Sequence, residues 1–275
     1  MALVLKSNKS YNGVPSLLPQ FNIINGAKKI YATYLANPSY KGSIAEIVNS
    51  SGETKEIKAS DDGFLSATEL VSFANGGNVT VRALFNQNGD VSSAERTDTN
   101  FQPLIVENGT VVINRFGKPS MRCVNARGLV DRDVTKLLDG DRLQYFLDAE
   151  PVTGDVNNRR LLTISVAMQG SSSNFTTSYG AGFDGYSNIF TNNYDGAADN
   201  RLLFGKQESS RFVALFEYNF SEGYVEATVN SNYKKVSGAT IKPVLISYIS
   251  IASAGGSFDS VPNSFKGVFN CLIIK

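Results

Sequence analysis

Because the chain contains no histidine, its carboxylates are the first candidates for acid–base chemistry. Two groups of them lie close together in sequence: Glu217, Glu222 and Glu226 near one predicted hairpin, and Asp184, Asp195 and Asp199 in one predicted loop. Hydrolysis of a glycosidic bond needs two carboxylates about 5–5.5 Å apart for retention or about 6.5–9.5 Å apart for inversion. A pair from either group could come this close, but solvated surface carboxylates are the commoner case. We therefore expect no catalytic residues and no hydrolase activity.

The lack of histidine also excludes Ser-His-Asp and Cys-His catalysis and zinc sites built on imidazole. The two cysteines, Cys123 and Cys271, lie in apolar strand-like runs, where we expect buried free thiols rather than a disulfide. Asp184, Asp195 and Asp199 could hold calcium through their oxygens, but they lack the regular spacing of a calcium loop. We expect no metal ion and no cofactor.

Aromatic residues are interleaved with serine, threonine, asparagine and glycine between positions 171 and 201. They predict a surface for a glycan or a protein partner, since aromatic faces with hydroxyl and amide groups suit both. The candidate residues are Tyr179, Phe183, Tyr186, Phe190 and Tyr194. The alternative is that the segment forms two further strands joined by an ordinary turn.

Composition limits the partners of this 275-residue chain. Its 26 Lys and Arg residues nearly balance its 25 Asp and Glu residues, for a net charge of +1, which gives no long-range attraction to nucleic acid or to an anionic membrane. No apolar stretch approaches the ~20 residues needed to span a bilayer, and no secretory signal is visible at the start. We expect a protein made in a cytoplasm that acts without nucleic acid or a membrane.

Strands must position these side chains, because strand-forming segments alternate with turn signals along most of the chain. The predicted strands are 44–48, 79–85, 104–113, 161–168, 211–218, 224–229, 240–251 and 267–274. One helix is predicted over 65–74, with Ser66 as N-cap and Glu69 three residues on, and a second short turn or helix over 131–139. This content predicts an all-β, two-sheet antiparallel jelly-roll sandwich with one or two short helices.

The segment 1–25 stands apart from the rest of the chain, which we take as a single sandwich domain over 26–275. Pro15 and Pro19 disfavour a helix in this segment, and its many leucine and isoleucine side chains would be costly to leave in water. We predict an extended N-terminal arm that crosses to another subunit or another protein. A terminal strand on the domain's own core is the alternative.

Five short motifs follow one another between about Tyr34 and Cys123. They are Tyr40-Lys41-Gly42, the strand and helix IAEIVNSSGETKEI and LSATELVSFA, the turn FNQNGD, the pair of elements QPLI and Gly109, and GKPSMRC. In this order they resemble the concanavalin-like catalytic domain of arabinofuranosidase B and its relatives among phage tail and virion proteins. The ending SFKGVFNCLIIK is similar to the last strand of laminin-G and pentraxin domains. We predict that Gln102, Pro103 and the stretch Gly117-Lys118-Pro119 mark strand entries.

The resemblance implies a jelly-roll sandwich and, through the phage relatives, a structural protein of a tailed-bacteriophage virion that decorates the capsid, forms a head fibre or joins the tail. Asn86 stands where the family's turn has an aspartate, and none of the family's catalytic carboxylates can be aligned, so no enzyme is expected. The predicted partners are other virion proteins and further copies of the chain, and the predicted location is the virion. A carbohydrate-binding or host-adhesion module is the alternative, and an arabinofuranosidase-like hydrolase is the third reading.

Overall fold

A computed structural model of the protein describes residues 24–124, 127–134, 137, 141–151, 159–165, 178–183, 188–194, 199–206, 212–230, 232–237, 248–252 and 265–275. Within these residues, 19 strands form one connected sheet, and every pairing between them is antiparallel. No helix in this part of the chain combines the length and the apolar character that a bilayer crossing requires.

The regular elements, in chain order, are β1 (Lys29–Ala32), β2 (Ala45–Asn49), β3 (Thr54–Ile57), α1 (Ala67–Ala74), β4 (Val79–Phe85), β5 (Ser93–Glu95), a 3-10 turn (Thr99–Phe101), β6 (Leu104–Glu107), β7 (Thr110–Val111), β8 (Met121–Cys123), β9 (Leu129–Asp131), β10 (Arg142–Pro151), β11 (Arg159–Ser165), β12 (Ser178–Phe183), β13 (Asn188–Tyr194), β14 (Asp199–Lys206), β15 (Phe212–Asn219), β16 (Tyr224–Val229), β17 (Asn232–Ser237), β18 (Tyr248–Ile251) and β19 (Gly267–Ile274).

The connected sheet divides into two layers. Sheet one runs in the order β17-β16-β15-β10-β19-β1. Sheet two runs in the order β14-β13-β12-β11-β18-β9-β5-β4-β2-β3. The short strands β6 and β8 join them, because β8 pairs with β19 while β6 pairs with both β8 and β4. The predicted two-sheet antiparallel sandwich is confirmed.

The main core lies between the two sheets and follows the period-two alternation of the strands. In β15, Phe212, Ala214, Phe216 and Tyr218 are buried in this core while the residues between them face the other side of sheet one. Strands of sheet two contribute side chains such as Ile249 to the same cluster. Burying one face of each sheet in this way is the main source of stability in a sandwich.

A second, smaller apolar cluster covers part of the outer face of sheet one. Phe146 of β10, Cys271 of β19 and Ile30 of β1 point to this side and pack with Phe64, which comes from the turn after β3. Ile24 packs against the same cluster. The chain segments before β2 and around Phe64 therefore cover the outer face of sheet one over β1, β19 and part of β10. Strands β15, β16 and β17 form the other end of this sheet.

The buried polar residues Asn86 and Gln87 hold β1 and the segments on either side of it in place. The Asn86 side chain accepts a hydrogen bond from the amide of Ile30 at 2.9 Å and donates one to the carbonyl of Lys28 at 3.2 Å. The Gln87 side chain accepts from the amide of Ala36 at 2.8 Å. Asn86 is thus a fully buried structural residue at the start of an exposed turn, and its hydrogen bonds account for an asparagine at this position.

A buried ionic cluster fixes the turn after β7 to β10. The Arg115 guanidinium forms two hydrogen bonds with Asp148, at 3.0 and 3.1 Å, and one with Glu150 at 3.1 Å. Asn270 donates to both carboxylates, at 3.2 and 3.0 Å. Asn270 reaches them because the register between β10 and β19 shifts at a bulge, where Asp148 pairs with Cys271 and the next residue of β10 with Phe269.

Most sequence-based element predictions are confirmed within the described residues. Strands β16 and β19 have the predicted bounds, and α1 begins after Ser66, whose hydroxyl accepts a hydrogen bond from the amide of Glu69 at 3.2 Å. The predicted strand 104–113 is instead the hairpin β6–β7, because Asn108 and Gly109 take positive φ and turn the chain. Both cysteines are buried and free, as predicted.

The motifs that were expected at strand entries lie outside the strands that they precede. Gln102 is buried and its amide donates to the carbonyl of Arg96 at 2.8 Å. Pro119 forms an isolated bridge with Ile113 just before β8, where its missing N–H removes no ladder hydrogen bond. Residues 1–23 of the predicted arm and four of the nine residues of the predicted turn at 131–139 lie outside the described residues, so the arm and its partner stay predictions.

Candidate functional site

Four adjacent strands of sheet one bring a row of polar side chains to its outer face. Gln144 of β10 pairs with Glu217 of β15, Glu217 pairs with Glu226 of β16, and Glu226 pairs with Lys235 of β17. Residues directly opposite each other in antiparallel strands project to the same side of the sheet. We call this row, together with the neighbouring Tyr224 and Tyr233, the carboxylate face.

The facing carboxylates of Glu217 and Glu226 are the unusual feature of this face. Like charges directly opposite each other destabilise a strand pair, so such a pair persists only where other groups offset the repulsion. Both side chains are mostly covered, at 14% exposure for Glu217 and 27% for Glu226. The neighbouring residues supply the compensating hydrogen bonds and charges.

Glu217 is held by three neighbours. The hydroxyl of Tyr224 donates to its Oε1 atom at 2.8 Å, and the side-chain amide of Gln144 donates to its Oε2 atom. The guanidinium of Arg142 lies 3.7 Å from Oε1. These contacts fix the carboxylate and leave its orientation defined before any ligand arrives.

Glu226 has a similar but more open setting. The hydroxyl of Tyr233 donates to its Oε2 atom at 2.9 Å, and the ammonium of Lys235 lies 3.7 Å from the same oxygen. The hydrogen bond to Glu226 raises the pKa of Tyr233, and burial, the largest cause, raises the pKa of Tyr224. Both phenols therefore stay protonated donors over the physiological range.

The two tyrosine rings differ in how far they are open to solvent. Tyr233 is 58% exposed and Tyr224 is 8% exposed. The ammonium of Lys235 lies 3.4 Å from the centroid of the Tyr224 ring. Carboxylates that accept from hydroxyl groups, together with aromatic faces that pack against C–H groups, form the usual recognition chemistry for a polyhydroxylated ligand.

The aromatic residues predicted as a glycan or partner surface lie in sheet two. Tyr179 and Phe183 belong to β12, Phe190 and Tyr194 belong to β13, and Tyr186 lies outside the described residues. The register pairs Tyr179 with Asn193 and Tyr194 with Ser178. The segment forms strands, which was the alternative interpretation, while its role as a binding surface stays a prediction.

Of the predicted carboxylate groups, the structure brings together Glu217 and Glu226 but leaves Glu222 exposed in the turn that joins their strands. Asp184 and Asp195 lie outside the described residues, and Asp199 begins β14. Across the described ranges, no group of three or more acidic or cysteine side chains is placed to hold a metal ion.

The sequence does not identify Gln144, Tyr233 and Lys235 as parts of the carboxylate face, or Arg142 as a neighbour of Glu217. Adjacent lysines such as Lys234 and Lys235 are typical of solvated strand ends, and the β10 segment is not among the strands that the sequence predicts. The alternation of polar and apolar residues in RLQYFLDAEP was the signal that could have revealed it. Which residues then stand opposite each other depends on register, and register is set by the assembled sheet.

No protein-family model matches the sequence, and no curated protein is similar to it at a significant level. Solved structures are similar in fold. A Glu-to-Gln mutant of a GH54 α-L-arabinofuranosidase, soaked with 4-nitrophenyl α-L-arabinofuranoside, has a TM-score of 0.65 and 11% sequence identity over 92% of this chain and 60% of that chain. An arabinofuranosidase complexed with arabinofuranosyl-α-1,2-xylobiose has a TM-score of 0.64 at the same identity and coverage.

A carbohydrate-binding module (CBM40) of a Ruminococcus gnavus sialidase is also similar, with a TM-score of 0.38 and 10% identity over 49% of this chain and 75% of that chain. At this score the likeness is too low to support an argument. The chain spans 60% of the length of the arabinofuranosidases it matches, so their likeness covers only part of those enzymes.

The comparisons extend the resemblance noted in the sequence from about a third of the chain to 92% of it. They also overturn one prediction. The expectation that this protein is not an enzyme is contradicted, because structures that match its fold over 92% of its length are glycoside hydrolases, so its fold is enzyme-related. At 11% identity the likeness concerns the fold alone, and on that basis this protein has the jelly-roll sandwich fold of GH54 arabinofuranosidases.

Proposed function

We propose that this protein binds saccharides at the carboxylate face. The single observation that carries the proposal is the pair Glu217 and Glu226, which face each other across two strands and are held in place by the tyrosine hydroxyls. A carboxylate can accept hydrogen bonds from two sugar hydroxyls, and such charge-assisted bonds are about twice as strong as neutral ones. The fold likeness to proteins that act on arabinofuranosides supports the same class of ligand.

The exposed Tyr233 ring complements the carboxylates. A sugar presents hydroxyl groups around its edge and C–H groups on its faces, so it can pack one face on an aromatic ring while its edge reaches an acceptor. Tyr233 is 58% exposed and its hydroxyl is already directed to Glu226. A bound saccharide would thus contact the ring and the carboxylate together.

The proposal is tested by titrating the protein with arabinofuranosyl-xylobiose, xylobiose and lactose in a calorimeter. Glu226→Gln and Tyr233→Ala are each expected to weaken binding of the best of these saccharides by about tenfold, which corresponds to the ~1.4 kcal/mol of one charge-assisted or aromatic contact. Glu222→Gln is the matched control, because Glu222 is exposed in the turn between the same strands and is not one of the residues of the carboxylate face. Equal effects of Glu222→Gln and Glu226→Gln, or no binding to any of the saccharides, would reject the proposal.

Hydrolysis at the same pair is the second candidate function. Directly opposite residues in antiparallel strands have Cβ atoms about 4.5–5.5 Å apart, which allows the roughly 5–5.5 Å between carboxyl groups that retaining glycosidases use. The assay is release of nitrophenolate from 4-nitrophenyl α-L-arabinofuranoside. Glu217→Gln and Glu226→Gln should each lower the rate at least a hundredfold, the lower limit of typical acid–base contributions. Activity that persists in both variants would exclude this pair as the catalytic groups.

The predicted role as a structural protein of a phage virion gains no support from the fold or the comparisons, and it stays a prediction together with the predicted virion location and oligomer. It is compatible with saccharide binding, because a virion protein can attach to glycans on a host surface. Electron microscopy of purified phage particles incubated with an antibody against this chain would test it. Particles that bind no antibody would contradict it.

A further inference from the structure

The carboxylate face carries a cation of the protein itself. Lys235 lies on β17, whose six residues are all exposed, and its side chain crosses to Tyr224 of the neighbouring strand. The ammonium lies 3.4 Å from the centroid of the Tyr224 ring and 3.7 Å from Oε2 of Glu226. One lysine thus occupies both an aromatic face and a carboxylate of the proposed site.

We infer that Lys235 is a displaceable cover over the Tyr224 ring and that saccharide binding moves it away. The inference rests on the proposed saccharide binding, because it assigns a regulatory contact to that same site. Tyr224 is only 8% exposed while Lys235 is 39% exposed, so the lysine is the outer layer and the ring is the inner one. Removing the lysine side chain would open the ring face to a ligand.

The contacts that hold the cover are weak ones. A cation–π contact at an exposed site and an ion pair at 3.7 Å are both screened by water and salt. The ring beneath is firmly placed by contrast, because its hydroxyl donates to Glu217 at 2.8 Å. The lysine can therefore leave while the tyrosine and its carboxylate keep their positions.

Displacing the cover has two consequences for a ligand. It lowers the net affinity, because the contacts of Lys235 must be broken first. It also makes the affinity for the ligand rise with salt concentration. Salt weakens the contacts of Lys235 with Tyr224 and Glu226, whereas it leaves the hydrogen bonds and ring packing to a neutral saccharide largely intact. A lysine that instead contacted the ligand directly would give opposite results on removal.

The test compares the wild type with Lys235→Ala by calorimetric titration with arabinofuranosyl-xylobiose at low and high salt. The variant should bind about two- to fivefold more tightly, as expected for loss of a weak exposed cation–π contact. Wild-type affinity should rise with salt, and the affinity of the variant should not. Lys234→Ala, on the same strand but the opposite face, is the control and should leave affinity unchanged.

A measurement without ligand distinguishes a failure of the proposed saccharide binding from a failure of the proposed role of Lys235. With 13C-labelled tyrosine rings, the Tyr224 signal, assigned by Tyr224→Phe, should shift in Lys235→Ala and stay constant in Lys234→Ala. If that signal shifts but no saccharide binds any of the proteins, the proposed function fails and the covering contact stands. If the saccharide binds wild type and Lys235→Ala equally, or binds the variant more weakly, the inference that Lys235 restricts access is overturned while saccharide binding stands.

Discussion

Arg115 and Asp148 form a two-pronged ion pair in which each guanidinium Nη atom bonds a different carboxylate oxygen, at 3.0 and 3.1 Å. Asp148 is fully buried and Arg115 is 17% exposed. The same guanidinium also reaches Glu150. One arginine therefore bonds two carboxylates inside the fold and ties the turn after β7 to a central strand of sheet one.

Replacing Arg115 by methionine should lower the free energy of unfolding by about 3 kcal/mol or more, because it leaves a buried carboxylate without its counter-charge. Urea unfolding followed by circular dichroism measures the loss. The control is Arg82→Met, which breaks a more exposed pair with Glu46 and should cost no more than about 1 kcal/mol. Similar losses in both variants would mean that the Arg115 cluster contributes no more than a surface pair.

The pKa of Asp148 gives a prediction about pH. Burial, the largest cause, raises this pKa, while Arg115 and Asn270 act in the opposite direction. A carboxyl group whose pKa is raised on folding contributes stability that is fully present below the unfolded value, about 3.9, and is lost as pH rises through the folded value.

We therefore compare the wild type with Asp148→Asn, which cannot titrate, by urea unfolding at a series of pH values from 3.5 upwards. The stability of the wild type relative to the variant should fall as pH increases from this acidic limit and then level off. A relative stability that rises with pH over this interval would show that the ion pair with Arg115 outweighs burial and lowers the pKa instead.

A strand can be predicted from the sequence when its own residues and near neighbours reveal it, and not when the residues that explain its composition are distant in the chain. Strands β16 and β19 have dense apolar content, and their bounds were predicted correctly. The sequence does not reveal strand β10, because Asp148 and Glu150 look like a solvent-exposed end, whereas their counter-charge Arg115 lies 33 and 35 residues earlier. Distant partners of this kind become visible only after the chain has folded.

The same difference between local signals and distant partners applies to the candidate site. Glu217 and Glu226 could be identified as a candidate pair because they lie on two strands joined by a short turn. Lys235 and Gln144 could not be connected to them, because a shift of one residue in either strand pairing would have sent them to the opposite face. The residue types can thus be read from the sequence, whereas the register of the strands decides whether these residues lie on the same face.

The turn at Asn86 offers a test of its structural role. Asn86→Asp keeps the acceptor for the Ile30 amide but loses the donor to the Lys28 carbonyl, which it bonds at 3.2 Å. A carboxylate would then face a carbonyl oxygen in a fully buried site. The free energy of unfolding should fall by about 1–3 kcal/mol, the cost of an unsatisfied buried group.

Thermal unfolding measures this change, with Asn232→Asp as the control. Asn232 is exposed on β17, so that its substitution should change stability by no more than about 0.5 kcal/mol. A wild-type melting temperature for Asn86→Asp would contradict the hydrogen-bond assignment and would allow an acidic residue at this turn.

The last prediction concerns Gly267, the first residue of β19. It pairs with Pro151 at the end of β10, and a Cβ atom built on it would lie 2.2 Å from the Glu150 carbonyl oxygen and 2.9 Å from the Pro151 Cα atom. Both are backbone atoms of a central strand, so they cannot turn away as a flexible side chain would. Gly267→Ala must therefore separate β10 from β19 where their pairing begins.

Such overpacking typically costs about 1–3 kcal/mol. We expect a loss of about 3 kcal/mol in the free energy of unfolding, because the movement would also disturb Glu150 in the Arg115 cluster. Gly89→Ala is the matched control: Gly89 has φ of +96° and open space around its Cβ position, so it should lose only the ~1–2 kcal/mol of a left-handed alanine. If urea unfolding gives equal losses for the two variants, backbone conformation alone accounts for Gly267, and the close approach of β10 and β19 plays no part.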